Sequence, residues 1–289
     1  MKNVYLDDVY QAPDKPIVLV VDCRVALYQL LDRYNKLKIS SLTFAKCLWV
    51  YYLNALPSMI HSSLEKKADV HLIIVDDWRT GDNYNYWRED WLQENYSEGL
   101  AYKGNRGTES RKDRPSGYNE LLEACHNYAE QADIPVFRQA GFEADDWAGA
   151  CYRLTDGSYQ TILVSVDNDW GILTSHEKDI IMYINGSFRV PISTIRGEYE
   201  YLQYYKIRED FTMSNTQQIV DFKVKYGDAG DNIAPGTPRE VIDLRNPPIK
   251  PDSSKLKVEL SNLSFKPNKT TAIKALQKIV KMEFTNGTY

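Results

Sequence analysis

Residues 17–22 read IVLVVD, a run of five apolar residues that ends on an aspartate. The pattern returns at 70–76 (VHLIIVD) and at 161–167 (TILVSVD), and a shorter apolar run, IPVF, occupies 134–137. Continuous apolar runs rich in β-branched residues are typical of strands that are buried on both faces of a parallel sheet. The sequence therefore predicts four buried strands, and three of them end in Asp.

Segments with helical spacing alternate with these strands. This βαβ alternation predicts an α/β fold, in which a parallel sheet carries helices on both faces. A further short strand, DIIMYI, is predicted at 179–184. The predicted helices lie at 24–34, 43–56, 117–132, 143–154 and 168–174.

Two regions depart from this alternation. Residues 78–116 form a polar insertion rich in aromatic residues and glycine, far longer than a usual connection of about 5 residues. We therefore expect a core domain at 1–200 that contains this insertion, and a small, mostly helical C-terminal region at 201–289. In that region we predict a helix at 217–226, a turn at 227–238 (GDAGDNIAPGTP), a linker at 246–255 (NPPIKPDSSK) and a helix near 270–282.

Composition limits the class of protein. A chain of 289 residues that is 43% hydrophobic can bury one large core without disulfides. Its four cysteines include no C-x-x-C pair, so we expect reduced core thiols and no zinc knuckle. No apolar run approaches the roughly 18 residues of a membrane span, and the N-terminus lacks a signal-peptide pattern. We expect a cytoplasmic monomer with no membrane partner.

The charge is unevenly distributed along the chain. The formal net charge of -5 argues against a nucleic-acid partner, because phosphate contacts need basic side chains. However, residues 250–289 contain eight lysines and three acidic residues, and residues 101–114 are also basic. A solvated surface is the ordinary interpretation of such runs, and contacts with phosphates are the alternative.

Acidic residues fall where a parallel sheet places its ligands. Asp22, Asp76 and Asp167 each follow a predicted strand, and the IPVF strand is followed by EADD, which contains Glu143, Asp145 and Asp146. Carboxyl ends of parallel strands meet at one edge of the sheet. Taken singly, each acid could instead cap a helix or form a turn, and the same holds for Asp228 and Asp231 in GDAGDN. Those alternatives do not predict convergence on one edge.

Clustered carboxylates repel one another, and divalent cations relieve that repulsion. An all-oxygen ligand set favours Mg²⁺, for which Mn²⁺ can substitute. Two such ions about 4 Å apart activate a water molecule and stabilise the leaving oxygen of a phosphodiester. The pattern therefore predicts metal-dependent phosphodiester hydrolysis.

In these motifs the chain resembles the flap endonuclease and 5′→3′ exonuclease superfamily, especially its phage members. The resemblance covers about residues 17–233. The matching motifs, in family order, are VVDCR, IVDD, YKGNR, EADD, VDNDW and GDAGDN. The resemblance implies two metal ions, the first held by Asp22, Asp76, Glu143 and Asp145, the second by Asp146, Asp167, Asp169, Asp228 and Asp231. Asp76 is preferred to Asp77 because it directly ends the apolar run.

The YKGNR segment resembles the base of the helical arch of that family. By this resemblance Lys103 and Arg106 would contact the scissile phosphate as catalytic and substrate-binding residues, and Tyr102 would stack on a terminal base. A solvated loop for the two cations and ordinary packing for Tyr102 are the alternatives. The aromatic residues Trp87 and Trp91 have helical spacing, which fits a packing stripe as well as a base-stacking surface.

One family feature is incomplete. Members commonly follow GD-x-x-DN with a helix-hairpin-helix that contains a G-x-G-x-K-x-A turn, whereas this chain reads NIAPGTPREVIDL at 232–244. The metal site is unaffected, but the grip on duplex DNA must differ. The lysine-rich C-terminal segment is an alternative phosphate contact.

The functional expectation is a Mg²⁺-dependent 5′-nuclease acting on DNA, with RNA primers in RNA–DNA hybrids as a further substrate. The motifs leave open whether the substrate is a flap, a duplex end or a hybrid. One alternative takes VDNDW as the D-x-D of a phosphatase with an Asp nucleophile. Another is a nucleic-acid-binding accessory protein without catalysis, which the retained carboxylates disfavour.

Overall fold

The structure, a computed structural model, describes residues 15–28, 56, 70–78, 86–96, 118–131, 133–184, 187–189, 216–228 and 233–263. Six strands form a single sheet in the order β3-β2-β1-β4-β5-β6. Their bounds are β1 (Ile17–Asp22), β2 (Val70–Val75), β3 (Val136–Phe137), β4 (Gln160–Val164), β5 (Ile180–Ile184) and β6 (Ser187–Arg189).

Strands β1 to β5 run parallel, and β6 adds an antiparallel edge. The predicted α/β fold with a parallel sheet is confirmed, as are all five predicted strands. Strand β1 lies between β2 and β4, and every one of its residues is buried. This central position explains why its sequence is continuously apolar rather than alternating.

The described helices are α1 (Trp87–Asn95), α2 (Tyr118–Gln131), α3 (Ala144–Leu154), α4 (Thr216–Tyr226), α5 (Arg239–Ile242) and α6 (Ser254–Ser261). Residues 23–28 are also helical. The predictions at 117–132, 143–154 and 217–226 are confirmed by α2, α3 and α4. The predicted helix at 168–174 is instead a 3₁₀-helix, Asn168–Leu173, which is the tighter form that short helical pieces adopt.

Helices cover both faces of the sheet, as the alternation predicted. Ile17, Leu19 and Val21 of β1 point to one face, in a cluster with residues of α2. Val18 and Val20 point to the other face, in a cluster with residues of α3 and α6. The period of two along a strand therefore divides the core into two layers.

The described part of the C-terminal region packs on the core. Ile219 of α4 and Val241 of α5 share a cluster with Trp87 and Phe142. Leu256 of α6 belongs to the cluster on the α3 face of the sheet. The linker prediction was wrong at its end, because α6 begins at Ser254 and buries Leu256 and Leu260.

Several expectations lie outside the described residues. They include the predicted helix near 270–282, most of the helix at 43–56 and most of the insertion, of which α1 is described. No described helix has the length and apolar character needed to cross a membrane. Cys23 and Cys151 are free and buried, as expected, and Cys125 is buried as well.

Gly149 provides a test of how tightly α3 packs against the turn after α5. A Cβ atom added at Gly149 would lie 2.3 Å from the main-chain oxygen of Leu244. We predict that Gly149→Ala destabilises the fold by about 1–3 kcal/mol, although alanine is favoured over glycine inside a helix by about 1 kcal/mol. Urea unfolding measures the change.

The control is Asn127→Ala, at an exposed position of α2. It should change the free energy of unfolding by no more than about 0.5 kcal/mol. A raised unfolding midpoint for Gly149→Ala would show that the close approach to Leu244 is absent.

Candidate metal centre

Acidic residues gather at the carboxyl edge of the parallel sheet. Asp22 ends β1, Asp77 lies two residues beyond β2, and Asp167 follows β4 by three residues. Glu143 immediately precedes α3, which starts after β3. Since these strands are parallel neighbours, their ends bring the four residues to the same edge of the sheet.

Asp22 lies at the centre of this edge. Its side chain accepts a hydrogen bond from the Val25 main-chain nitrogen at 3.1 Å and from Ser165 Oγ at 3.1 Å. Burial, together with the charges of Asp77 and Asp145, raises the pKa of Asp22 to about 8, although its hydrogen bonds with Val25 and Ser165 act in the opposite direction. Ionisation of this carboxyl group in the absence of a cation therefore costs free energy. A divalent ion bound beside it would offset that cost.

Adjacent residues Asp76 and Asp77 both pair with Arg24 but otherwise face different groups. Asp77 accepts a 2.8 Å hydrogen bond from the Ala144 main-chain nitrogen. Burial raises the pKa of Asp77, Arg24 opposes this, and the charge of Glu143 adds to it. Asp77 thus lies beside the start of α3 and within electrostatic range of Asp22.

Asp76 has other partners. Its Oδ1 accepts a 2.8 Å hydrogen bond from Arg24 Nε, and its Oδ2 lies 3.0 Å from His126 Nε2 of α2. Side chains of successive residues in an extended chain point to opposite faces. The geometry consequently favours Asp77 over Asp76 as a member of the acidic edge, against the preference drawn from the sequence.

Arg88 holds the start of α3. This side chain of α1 is fully buried and donates to both oxygens of Asp146, at 3.0 and 2.7 Å. It also donates to Glu143 Oε2 at 3.0 Å and to the Val241 main-chain oxygen at 3.0 Å. Asp146 further accepts a 2.9 Å hydrogen bond from the Glu143 main-chain nitrogen. Asp146 therefore stabilises the start of α3 through its hydrogen bonds with Arg88 and with the main chain of Glu143.

The VDNDW segment is fixed by local hydrogen bonds. Asp167 caps the 3₁₀-helix by accepting a 2.9 Å hydrogen bond from the Asp169 main-chain nitrogen. Trp170 Nε1 donates to Asp145 Oδ1 at 2.7 Å, which joins this segment to α3. Ser165 Oγ, which donates to Asp22, also accepts from the Asp167 main-chain nitrogen at 3.0 Å. These bonds hold four of the predicted ligands, Asp22, Asp145, Asp167 and Asp169, in place.

A buried lysine joins the remaining described acids. Lys223 of α4 is fully buried; it forms an ion pair with Asp169 and another, at 2.8 Å, with Asp228 Oδ2. Burial alone would lower the pKa of Lys223, but the charges of Asp169 and Asp228 raise it above its usual value. The ammonium group of Lys223 therefore lies between two residues that are expected to bind the second metal ion.

Sequence reasoning missed the residues that orient these acids: Arg24, Arg88, Ser165, Trp170 and Lys223. The hydrophobic positions around Lys223 on α4 were the available signal, because Ile219, Val220 and Lys223 share the buried side of that helix. Arg88 left no comparable pattern. Lys103, Arg106, Tyr102 and Asp231 lie outside the described residues, so their predicted roles stay predictions.

Comparisons with known proteins address the fold. The chain has the fold of the flap endonuclease of bacteriophage T5. A structure of that enzyme with DNA and metal ions superimposes with a TM-score of 0.53 at 18% identity, covering 93% of this chain and 98% of that chain. Another, of the same phage protein co-crystallised with metal ions, gives a TM-score of 0.52 at 17% identity over the same shares of the two chains. The resemblance seen in the motifs is thus confirmed as a likeness of fold.

At the level of sequence the likeness is partial. A stretch of 154 residues is 23% identical to DNA polymerase I of Chloroflexus aurantiacus, covering 51% of this chain but 15% of the polymerase. No family model matches the chain. The activity of the whole polymerase therefore says little about this chain.

Replacing Arg88 tests the charge network at the start of α3. We predict that Arg88→Met lowers the free energy of unfolding by about 3–5 kcal/mol, because Glu143 and Asp146 lose the cation that compensates their buried charges. The measurement is chemical unfolding followed by circular dichroism.

Arg239→Met is the control, because Arg239 and Asp221 form an ion pair with side chains that are 46% and 37% exposed. That pair should contribute no more than about 1 kcal/mol. Equal losses for the two variants would show that Arg88 is not the buried anchor described above.

Proposed function

We propose that the chain is a metal-dependent 5′→3′ exonuclease or flap endonuclease, acting at 5′ ends of DNA, or of RNA primers in RNA–DNA hybrids, during replication or recombination. One observation carries this proposal. Acidic residues from the ends of β1, β2 and β4 and from the start of α3 meet at one edge of a parallel sheet. The sheet belongs to a fold shared with a phage flap endonuclease.

The acidic edge fits divalent cations in its donor chemistry. Its described members offer carboxylate oxygens, which Mg²⁺ and Mn²⁺ prefer. The raised pKa of Asp22 reflects burial together with neighbouring negative charge, and a cation would remove that penalty. We propose that Asp22, Asp77, Glu143 and Asp145 hold one ion, with Asp77 in place of Asp76.

A second ion is proposed beside the VDNDW and GDAGDN segments. Asp167, Asp169 and Asp228 are its described ligands, and Asp231 is a further one by resemblance. Lys223 would have to share Asp169 and Asp228 with that ion, or yield them, because its ammonium now pairs with both. Asp146 is proposed to position α3 through Arg88 rather than to bind metal directly.

The bound ions would supply an activated water molecule and neutralise charge on the phosphodiester. The side chains of the protein orient these components. Trp170 fixes the carboxylate of Asp145, and Ser165 fixes that of Asp22. Lys103 and Arg106 are proposed to contact the scissile phosphate, and Tyr102 to stack on the terminal base. Such preorganised groups lower the cost of reorganisation during the reaction.

The main test is cleavage of three labelled substrates: a 5′-flap duplex, a blunt duplex and an RNA–DNA hybrid. Each is incubated with Mg²⁺ and with EDTA, and Asp145→Asn serves as the control for contaminating nucleases. The asparagine keeps an oxygen that can accept from Trp170, so the fold should persist. We expect products that require Mg²⁺ and are absent with the variant, and the preferred substrate identifies the subclass.

Other outcomes would replace the proposal. Bound but uncleaved substrates would favour the non-catalytic accessory protein. Cleavage of p-nitrophenyl phosphate in place of the three polynucleotides would favour the D-x-D phosphatase interpretation.

A second prediction separates the two adjacent aspartates. Asp77→Asn should lower kcat on the preferred substrate on the order of 100-fold, as expected for loss of a group that stabilises the reacting charge. Asp76→Asn should have the smaller effect, because Asp76 is directed to His126 of α2. Gel shifts in Ca²⁺ check that binding of the substrate is retained.

Glu177→Gln is the matched control, since Glu177 is exposed and precedes β5, at the opposite edge of the sheet. Its kcat should equal that of the unmodified chain. If Asp76→Asn lost more activity than Asp77→Asn, the assignment of Asp77 to the acidic edge would be wrong.

A further inference from the structure

Behind the acidic edge, on the α2 face of the sheet, three side chains of mixed chemistry converge. Cys23, Asp76 and His126 each offer one ligand atom, and these atoms all lie within 4.8 Å of one another. Cys23 is fully buried, the Asp76 side chain is 1% exposed and the His126 side chain is 12% exposed. The group lies outside the set of carboxylates to which the nuclease proposal assigns its ions.

The backbone separates this group from the acidic edge. Asp22 and Cys23 are neighbours at the end of β1, and Asp76 and Asp77 are neighbours beyond β2. Within each pair, one side chain takes part in the acidic edge and the other turns towards α2, where Cys23 belongs to the core cluster. Two adjacent pairs therefore contribute to two sites on opposite faces of the sheet.

Two atoms of the group have unmet hydrogen-bonding capacity. Asp76 Oδ2 and His126 Nε2 are buried, and neither makes a hydrogen bond. They lie 3.0 Å apart, but their orientation does not suit a hydrogen bond between them. Buried polar atoms without a partner are rare because each costs about 1–3 kcal/mol. A cation between the oxygen, the nitrogen and the Cys23 sulfur would satisfy all three atoms.

We propose that Cys23, Asp76 and His126 bind a zinc ion. Thiolate, imidazole and carboxylate are zinc ligands, whereas Mg²⁺ avoids sulfur and prefers oxygen. Typical zinc–ligand distances of about 2.0–2.3 Å place tetrahedral ligand atoms roughly 3.3–3.7 Å apart. The observed separations, 3.0 Å between Asp76 Oδ2 and His126 Nε2 and up to 4.8 Å within the group, lie on both sides of that spacing. A fourth position would remain for water or another ligand.

Neighbouring groups support this site. Arg24 Nε donates to Asp76 Oδ1 at 2.8 Å, which orients the carboxylate and leaves Oδ2 directed at the group. Hydrogen bonds of this kind commonly hold the first ligands of zinc sites. The Cys23 thiolate and the carboxylates of Asp76 and Asp77 together balance the charges of the ion and of Arg24, which pairs with both carboxylates. Bound zinc would fasten the ends of β1 and β2 to α2, and so stabilise the backbone that carries Asp22 and Asp77.

The test uses Co²⁺ as a spectroscopic substitute for zinc in the full-length protein. Ligation of Co²⁺ by a thiolate gives a near-ultraviolet charge-transfer absorption that carboxylate sites do not give. The protein is treated with EDTA, desalted and titrated with Co²⁺, and Zn²⁺ is then added as competitor. We expect one thiolate-bound Co²⁺ per chain, displaced by Zn²⁺, and a melting temperature raised by Zn²⁺.

Variants assign the signal. Cys23→Ser should abolish the charge-transfer absorption, and His126→Gln should weaken Co²⁺ binding by at least about tenfold. Cys151→Ser removes another buried thiol, on the α3 face, and should retain the signal. Asp145→Asn should also retain it while losing nuclease activity, so this proposal and the proposed function fail independently.

Two results would overturn the inference. The first is the absence of thiolate absorption in the unmodified protein, which decides the matter even if Cys23→Ser does not fold. The second is full absorption in a folded Cys23→Ser variant. Either result would leave His126 and Asp76 as neighbouring side chains packed beside an ordinary core cysteine.

Discussion

Three cations, two of them fully buried and one half-buried, hold many of the acidic residues of this protein in place. Arg24 pairs with Asp76 and Asp77, Arg88 with Glu143 and Asp146, and Lys223 with Asp169 and Asp228. Each cation comes from a different element, and each contacts two carboxylates. Removing one partner of such a group leaves uncompensated charge in a medium of low dielectric constant. The described site therefore contains six acids whose positions depend on a cation distant in sequence.

This dependence explains what could be predicted from the sequence. The strands were predictable because a sheet that is buried on both faces requires continuous apolar runs, such as IVLVV at 17–21. Convergence of acids followed from the parallel arrangement. The cations were not predictable, because the partner of Asp146 lies 58 residues away in α1. No local pattern records an ion pair of that kind. The helix at Asn168–Leu173 was predicted, but its 3₁₀ form was not. That form and the start of α6 escaped prediction for a different reason, since short elements leave little periodicity.

The choice between Asp76 and Asp77 shows the limit of the strand argument. The end of an apolar run identifies where a strand stops, but it does not say which face the next side chain occupies. Here β2 ends at Val75, and Asp76 turns to α2 while Asp77 reaches the start of α3. A shift of one residue along the chain therefore decides whether an aspartate side chain lies beside Asp22 or beside His126.

The anchoring of Arg88 also couples α1 to the acidic edge. Helix α1 belongs to the stretch that the sequence marks as an insertion, yet Arg88 and the buried side chains of Trp87 and Leu92 join it to the core. The guanidinium group contacts both Glu143 and Asp146 at the start of α3. A displacement of α1 would therefore be transmitted through one rigid, planar side chain to two carboxylates at once.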